Sequence, residues 1–104
     1  MDIQQFRSLV RESVESSLSI LGENSKQAII IHFIKKYSLK SFDEVTEHPE
    51  EFEAFLMALF GYGSSIIIKN IVSNMFEKID MEVDESEMNF TTAIQEIRKM
   101  ALPK

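Results

Sequence analysis

Only one stretch of this chain has residue types and spacing that suggest chemistry. It is "LFGYGSSIIIK", from Leu59 to Lys69, where two glycines flank a tyrosine, two serines follow and a lysine comes later. A phosphate-binding loop needs a lysine directly after its last glycine, with a Ser or Thr beside it, so that ammonium and backbone N–H groups converge on one anion. Here Lys69 falls six residues after Gly63, almost two helical turns on, and is expected to point elsewhere. A dinucleotide fingerprint would also need a preceding strand and a third glycine. The corner between two helices accounts for every residue: Gly61 closes one helix, Gly63 permits the tight turn, and Ser64 or Ser65 caps the next. Weak anion binding at Ser64 and Ser65 is the residual chemical reading, because a helix N-terminus attracts negative charge.

Other candidates are weaker. "DMEVDE" places Asp80, Glu82 and Asp84 at alternate positions, as in a calcium loop, but Glu85 and Thr91 stand where that loop needs glycine and a bidentate glutamate. His32, between Ile31 and Phe33, reads as a structural imidazole at the edge of a buried face, and His48 precedes Pro49 at the start of a helix. Their separation rules out a local H-E-x-x-H metal motif. No nucleophile elbow, cysteine or assigned base is present, and the carboxylates of "EHPEEFE" read as a solvated first turn. The sequence therefore predicts no catalytic residue, no metal and no cofactor, and a protein that is not an enzyme.

A helix-turn-helix DNA reader would place "SSIIIKN" in the major groove, where Arg, Lys, Asn or Gln should face base edges. Isoleucines stand there instead, and only Lys69, Asn70 and Asn74 could read bases. The net charge is −6 over 104 residues, and its distribution is uneven. Residues 22–40 carry Lys26, Lys35, Lys36 and Lys40 against Glu23, whereas residues 41–61 carry Asp43, Glu44, Glu47, Glu50, Glu51 and Glu53 with no base. Phosphate backbones are held by basic surfaces that release counterions, so nucleic acid is the less favoured partner.

The elements that would position these residues are marked by two prolines and three glycines. Asp2 starts a helix over 3–21 with Ile3, Phe6, Val10, Val14, Leu18 and Leu21 on one face, and Gly22 stops it. Asn24 or Ser25 caps a helix over 25–37, with Ile30, Phe33, Ile34 and Tyr37 inward and Lys35 and Lys36 at its negative end. Ser41 and Glu44 have capping-box spacing, which predicts a short turn from Phe42 to Val45. Pro49 opens a helix over 49–60 whose stripe is Phe52, Phe55, Leu56, Leu59 and Phe60. The helix over 64–79 carries eight large apolar residues and is expected to be central and most buried. Asp84 with Glu87 predicts a last helix over 85–101, ended by Pro103. The fold class is all-α, a single domain over 1–104 of about five helices with short connections.

Thirteen isoleucines and eight phenylalanines are many for this length, and a domain this small buries only about 60–65% of the surface its unfolded chain exposes. Large apolar patches left on a protein surface mark association sites, and symmetric pairs are their commonest result. Ile66, Ile67 and Phe76 are the expected contributors to such a surface, and a homodimer the expected assembly. The absence of cysteine fits a reducing cytoplasm. The first residues lack the basic-then-apolar pattern of a secretory signal, and no apolar run is read as approaching the ~20 residues of a membrane span. The expected location is cytoplasmic.

The segments "SLSILGENSKQAIIIHFIKKYSL" and "HPEEFEAFLMALFGYGSSIIIKNIVSNMF" resemble the small archaeal Nitrosopumilus output domain, fifth type. The likeness lies in a Leu-Gly step into a Lys-containing helix, the Lys-Lys-Tyr ending, Pro-Glu-Glu-Phe, and the Phe-Gly-x-Gly corner before an aliphatic helix. It spans about residues 18–76 and leaves 80–104 uncovered. The resemblance implies an archaeal source and an all-helical signal-output domain, with no enzymatic activity, cofactor or catalytic residue attached to it. The expectation is a non-enzymatic protein-interaction module. A DNA-binding or transcription-associated domain is the alternative, and an anion-binding domain or small enzyme the remote one.

Overall fold

Asp2 caps the first helix as the sequence predicts: its carboxylate accepts from the Gln5 N–H at 2.7 Å, and the Gln5 side chain accepts from the Asp2 N–H at 2.8 Å. From there the computed structural model, which describes residues 1–102, runs through five α-helices: α1 Ile3–Leu18, α2 Glu23–Lys36, α3 Pro49–Phe60, α4 Ser64–Lys78 and α5 Phe90–Ala101. Short 3-10 segments at Ser19–Leu21, Phe42–Glu47 and Gly61–Gly63 join or extend them. No strand occurs among the described residues, and the all-α bundle of about five helices is the observed class.

The boundaries differ from the expected ones where backbone chemistry overrides side-chain signals. The first helix tightens into a 3-10 turn after Leu18 rather than continuing to Leu21. Gly22 (φ 96°, ψ 152°) then does two jobs. Its N–H donates to Ser19 O, and its own carbonyl accepts from Lys26 N–H, so α2 starts at Glu23 and neither Asn24 nor Ser25 caps it. Gly63 has a right-handed backbone (φ −63°), so the corner does not require glycine there; Ser64 follows as the first residue of α4, which has no side-chain cap. Gly61 is the residue that turns the chain, at φ 57° and ψ −138°.

The last helix starts at Phe90 rather than 85. Asp84 bonds the N–H and hydroxyl of Ser86, two residues on, and so forms a local turn. Asn89 becomes the cap, accepting from Thr92 N–H at 2.7 Å. The expected stop at Pro103 lies outside the described residues. Two other helices end without glycine. Ser38 (φ 55°) and Asp80 (φ 53°) take the left-handed position after α2 and α4. Leu39 N–H reaches back to Ile34 O, and Met81 N–H to Phe76 O, as in a Schellman ending.

The core is aromatic on one side. The Phe33 ring lies 4.9 Å from Tyr37, 5.1 Å from Phe52, 5.3 Å from Phe55 and 6.2 Å from Phe42, joining α2, α3 and the Phe42–Glu47 segment. On the other side α1 and α4 run antiparallel. Ser17 donates to Asn70 Oδ1 and accepts from Asn74 Nδ2, while Gln4 and Leu9 lie beside Lys78. Two arginines of α1 tie down the 3-10 segment: Arg11 Nε is 2.6 Å from Asp43, and Arg7 Nε is 3.1 Å from Glu47. The fourth helix is not the most buried, as its composition led one to expect. It shares the centre with α1, which has seven buried positions, and Ser65 and Ile66 in its first turn are open to solvent.

Candidate functional site

The antiparallel pairs bring four helix ends together. In α2 and α3, Tyr37 stacks on His48, Phe33 meets Phe52, and His32 meets Phe55, so the start of α2 lies beside the end of α3. The pairing of Ser17 with Asn70 and Asn74 sets the end of α1 beside the middle of α4, and the Ser19–Leu21 turn continues from there. The Gly61–Gly63 corner completes this pole of the bundle. No charged residue occurs in 16–22 or in 54–68, the two stretches that form most of it.

Large apolar side chains stay open there: Ile20 is 74% exposed, Tyr62 92% and Ile66 73%. Leu21 and Leu59, both exposed, add to the pole, and Met57 borders it. Of the three residues expected to form an association surface, Ile66 is exposed and Ile67 is partly buried against the core. Phe76 is not available, being 1% exposed. Its position ten residues after Ile66 rotates it to the inward stripe with Val72 and Met75. Leu59 departs in the opposite sense: it continues the stripe of α3, but no element covers it.

An open groove of about 440 Å³ flanks this pole between α3, α4 and the segment before α5. Ala54, Met57, Ile68 and Met88 give it apolar walls, and Ser64, Ser65 and Lys69 also line it. This corrects the expectation that Lys69 points away from the glycine-corner serines. Ser65 and Lys69 are four residues apart on one helix and share a face. The chain before the corner is helical, so the strand that precedes a P-loop is absent here.

The acidic block of residues 41–61 is largely engaged. Asp43 and Glu47 meet the arginines of α1, and Glu44 folds back to accept from the N–H groups of Lys40 and Ser41. The Lys40 N–H above all holds the Glu44 carboxyl below its usual range. Glu53 crosses to α5, where its two oxygens accept from the Phe90 N–H at 3.1 Å and the Thr91 hydroxyl at 2.6 Å. Arg11 feels partial desolvation, which lowers its pKa, but the hydrogen bond and charge of Asp43 together with Glu15 outweigh it and raise the value.

The basic residues do not gather on one surface. Lys35 and Lys36 stand on the outer face of α2 with Ala28, Ile31 and His32, Lys36 reaching over the Phe55 ring, while Lys69 lies in the groove on α4. His32 is exposed, and His48 leads into α3 with Nδ1 3.9 Å from Glu51. Among the described residues no group of three His, Asp or Glu side chains is arranged to hold a metal ion.

The apolar stretch through the corner bears on the expectation that no run approaches a membrane span. Read through the corner, Pro49–Lys78 is long and apolar enough to cross a membrane by length and composition alone, and only 28% of its most apolar window is buried. The turn at Gly61 divides it into α-helices of 12 and 15 residues, each shorter than the ~20 residues a span needs. Comparison with known protein families, with curated proteins and with solved structures finds no match for this chain.

Proposed function

We propose that this domain is a non-enzymatic interaction module that pairs with a second copy of itself through the uncharged pole. The observation that carries this reading is the concentration of exposed Ile20, Leu21, Leu59, Tyr62 and Ile66 where two stretches without charge meet. Together with Met57 they offer apolar area on the order of several hundred Å², the scale of the ~800 Å² each partner contributes to a standard interface. The rest of the molecule favours this contact over others. A chain of net charge −6 repels its own copies, and this pole, where Glu23 is paired with Lys26, adds least to that repulsion. A signal-output role, in the sense the sequence resemblance implies, is a use to which such a module is suited.

Light scattering over a concentration series tests the reading. The expected result is twice the chain mass at high concentration, and a return to the single-chain mass in Ile66→Glu with helicity unchanged. Because Ile66 is largely exposed, the substitution removes apolar contact without burying a charge in the core. A wild type that stays at the single-chain mass throughout, or an unaffected Ile66→Glu pair, overturns it.

A further inference from the structure

We infer that the groove between α3 and α4 binds an amphipathic carboxylate, a short aliphatic or aromatic acid, with its apolar body on Met57, Ile68 and Met88 and its carboxylate at Lys69. At about 440 Å³ the groove falls within the size range of ligand sites, and it has their composition: apolar walls with a few polar groups placed at one side. Three features point to the charge of the ligand. Lys69 forms no ion pair among the described residues. Ser64 is almost fully buried at the groove, and its hydroxyl has only the Met57 thioether, 3.9 Å away, as a partner. Sulfur is a weak acceptor, so this hydroxyl keeps most of its capacity to donate to an oxyanion. The third is Glu53, the one carboxylate that lines the groove. Both its oxygens are already directed to the start of α5, where the positive end of that helix offsets its charge.

An inorganic anion would use the lysine and leave the apolar walls wet, and a neutral hydrocarbon would leave the ammonium without a counterion. A molecule with both parts fits both halves of the groove. This assignment can be tested apart from self-association, since Ile68 and Lys69 line the groove and Ile66 does not, although Met57 borders both surfaces.

Octanoate is the probe, with octanol, octylamine and inorganic phosphate as comparisons, followed by backbone amide chemical shifts. A shallow groove and a ligand of this size give saturation in the millimolar range. The expected shifts cluster at residues 54–57, 64–69 and 88–89. Lys69→Gln should weaken octanoate about tenfold, the loss of one charge-assisted hydrogen bond, and leave octanol unchanged. Ala54→Trp, which fills the groove from an exposed position, should weaken both. The inference is overturned by the absence of saturable shifts with octanoate, by phosphate or octylamine binding as tightly, or by a Lys69→Gln variant that binds octanoate like the wild type.

Discussion

The sign of φ decides what a residue contributes at three positions that look interchangeable in the sequence. Gly61 sits at φ 57°, ψ −138°, a region nearly closed to residues with a Cβ. Gly61→Ala should therefore cost about 1–3 kcal/mol, even though an added Cβ would meet no atom within 4 Å. Gly63, two residues on, has φ −63°, and the nearest contact of an added Cβ is Phe60 Cβ at 4.0 Å. Gly63→Ala should stabilise by about 0.4–1 kcal/mol, because the unfolded chain loses freedom and the folded one loses nothing. Ser38 is the converse case, an L-residue in the left-handed position after α2, and Ser38→Gly should relieve part of the ~1–2 kcal/mol that this conformation costs. Chemical denaturation of the three variants checks all of this together. A common direction of change would show that the local backbone does not set their energetics.

At the scale of elements, the start of α5 is held from two sides. Asn89 caps it from within the chain, and Glu53 supplies the Phe90 N–H and the Thr91 hydroxyl from α3. Glu53→Ala should leave that N–H without a protein acceptor and cost about 1–2 kcal/mol. The loss should be concentrated in α5, visible as faster amide exchange there than in α1. Uniform acceleration would mean that α5 and α1 open only together. This bond also shows where the sequence was legible and where it was not. Pro49 and the glutamates after it marked α3 to the residue, and Asp2 marked the start of α1, because those signals act over three or four residues. No spacing rule links Glu53 to Phe90, 37 residues apart. The same limit explains Asp84, whose carboxylate had two local choices and took Ser86. It explains the groove as well: Ser65 and Lys69 were readable as one face of α4, but the opposing wall from Ala54, Met57 and Met88 was not. An apolar stripe says which face avoids water. It does not say whether another element arrives to cover it, which is why Phe76 and Leu59 exchanged their expected places.

For the molecule as a whole, charge and apolar surface are separated. The arginines of α1 and the carboxylates of the 3-10 segment form ion pairs away from the Gly61–Gly63 pole, and the pole has almost no charge. This arrangement makes opposite predictions for the two kinds of partner. Binding to nucleic acid releases counterions and weakens steeply with added salt. Pairing of two copies with net charge −6 is opposed by long-range repulsion, which salt screens once the Debye length falls below about 10 Å, near 0.1 M. The apolar contact itself is insensitive to that screening. Raising sodium chloride from low to moderate concentration should therefore tighten self-association, with the concentration at half-pairing falling several-fold, while any duplex binding weakens. Sedimentation equilibrium at several salt concentrations makes the measurement directly. Pairing that weakens with salt would place charged groups at the contact, and the uncharged pole would then have to be given up as the surface through which two copies meet.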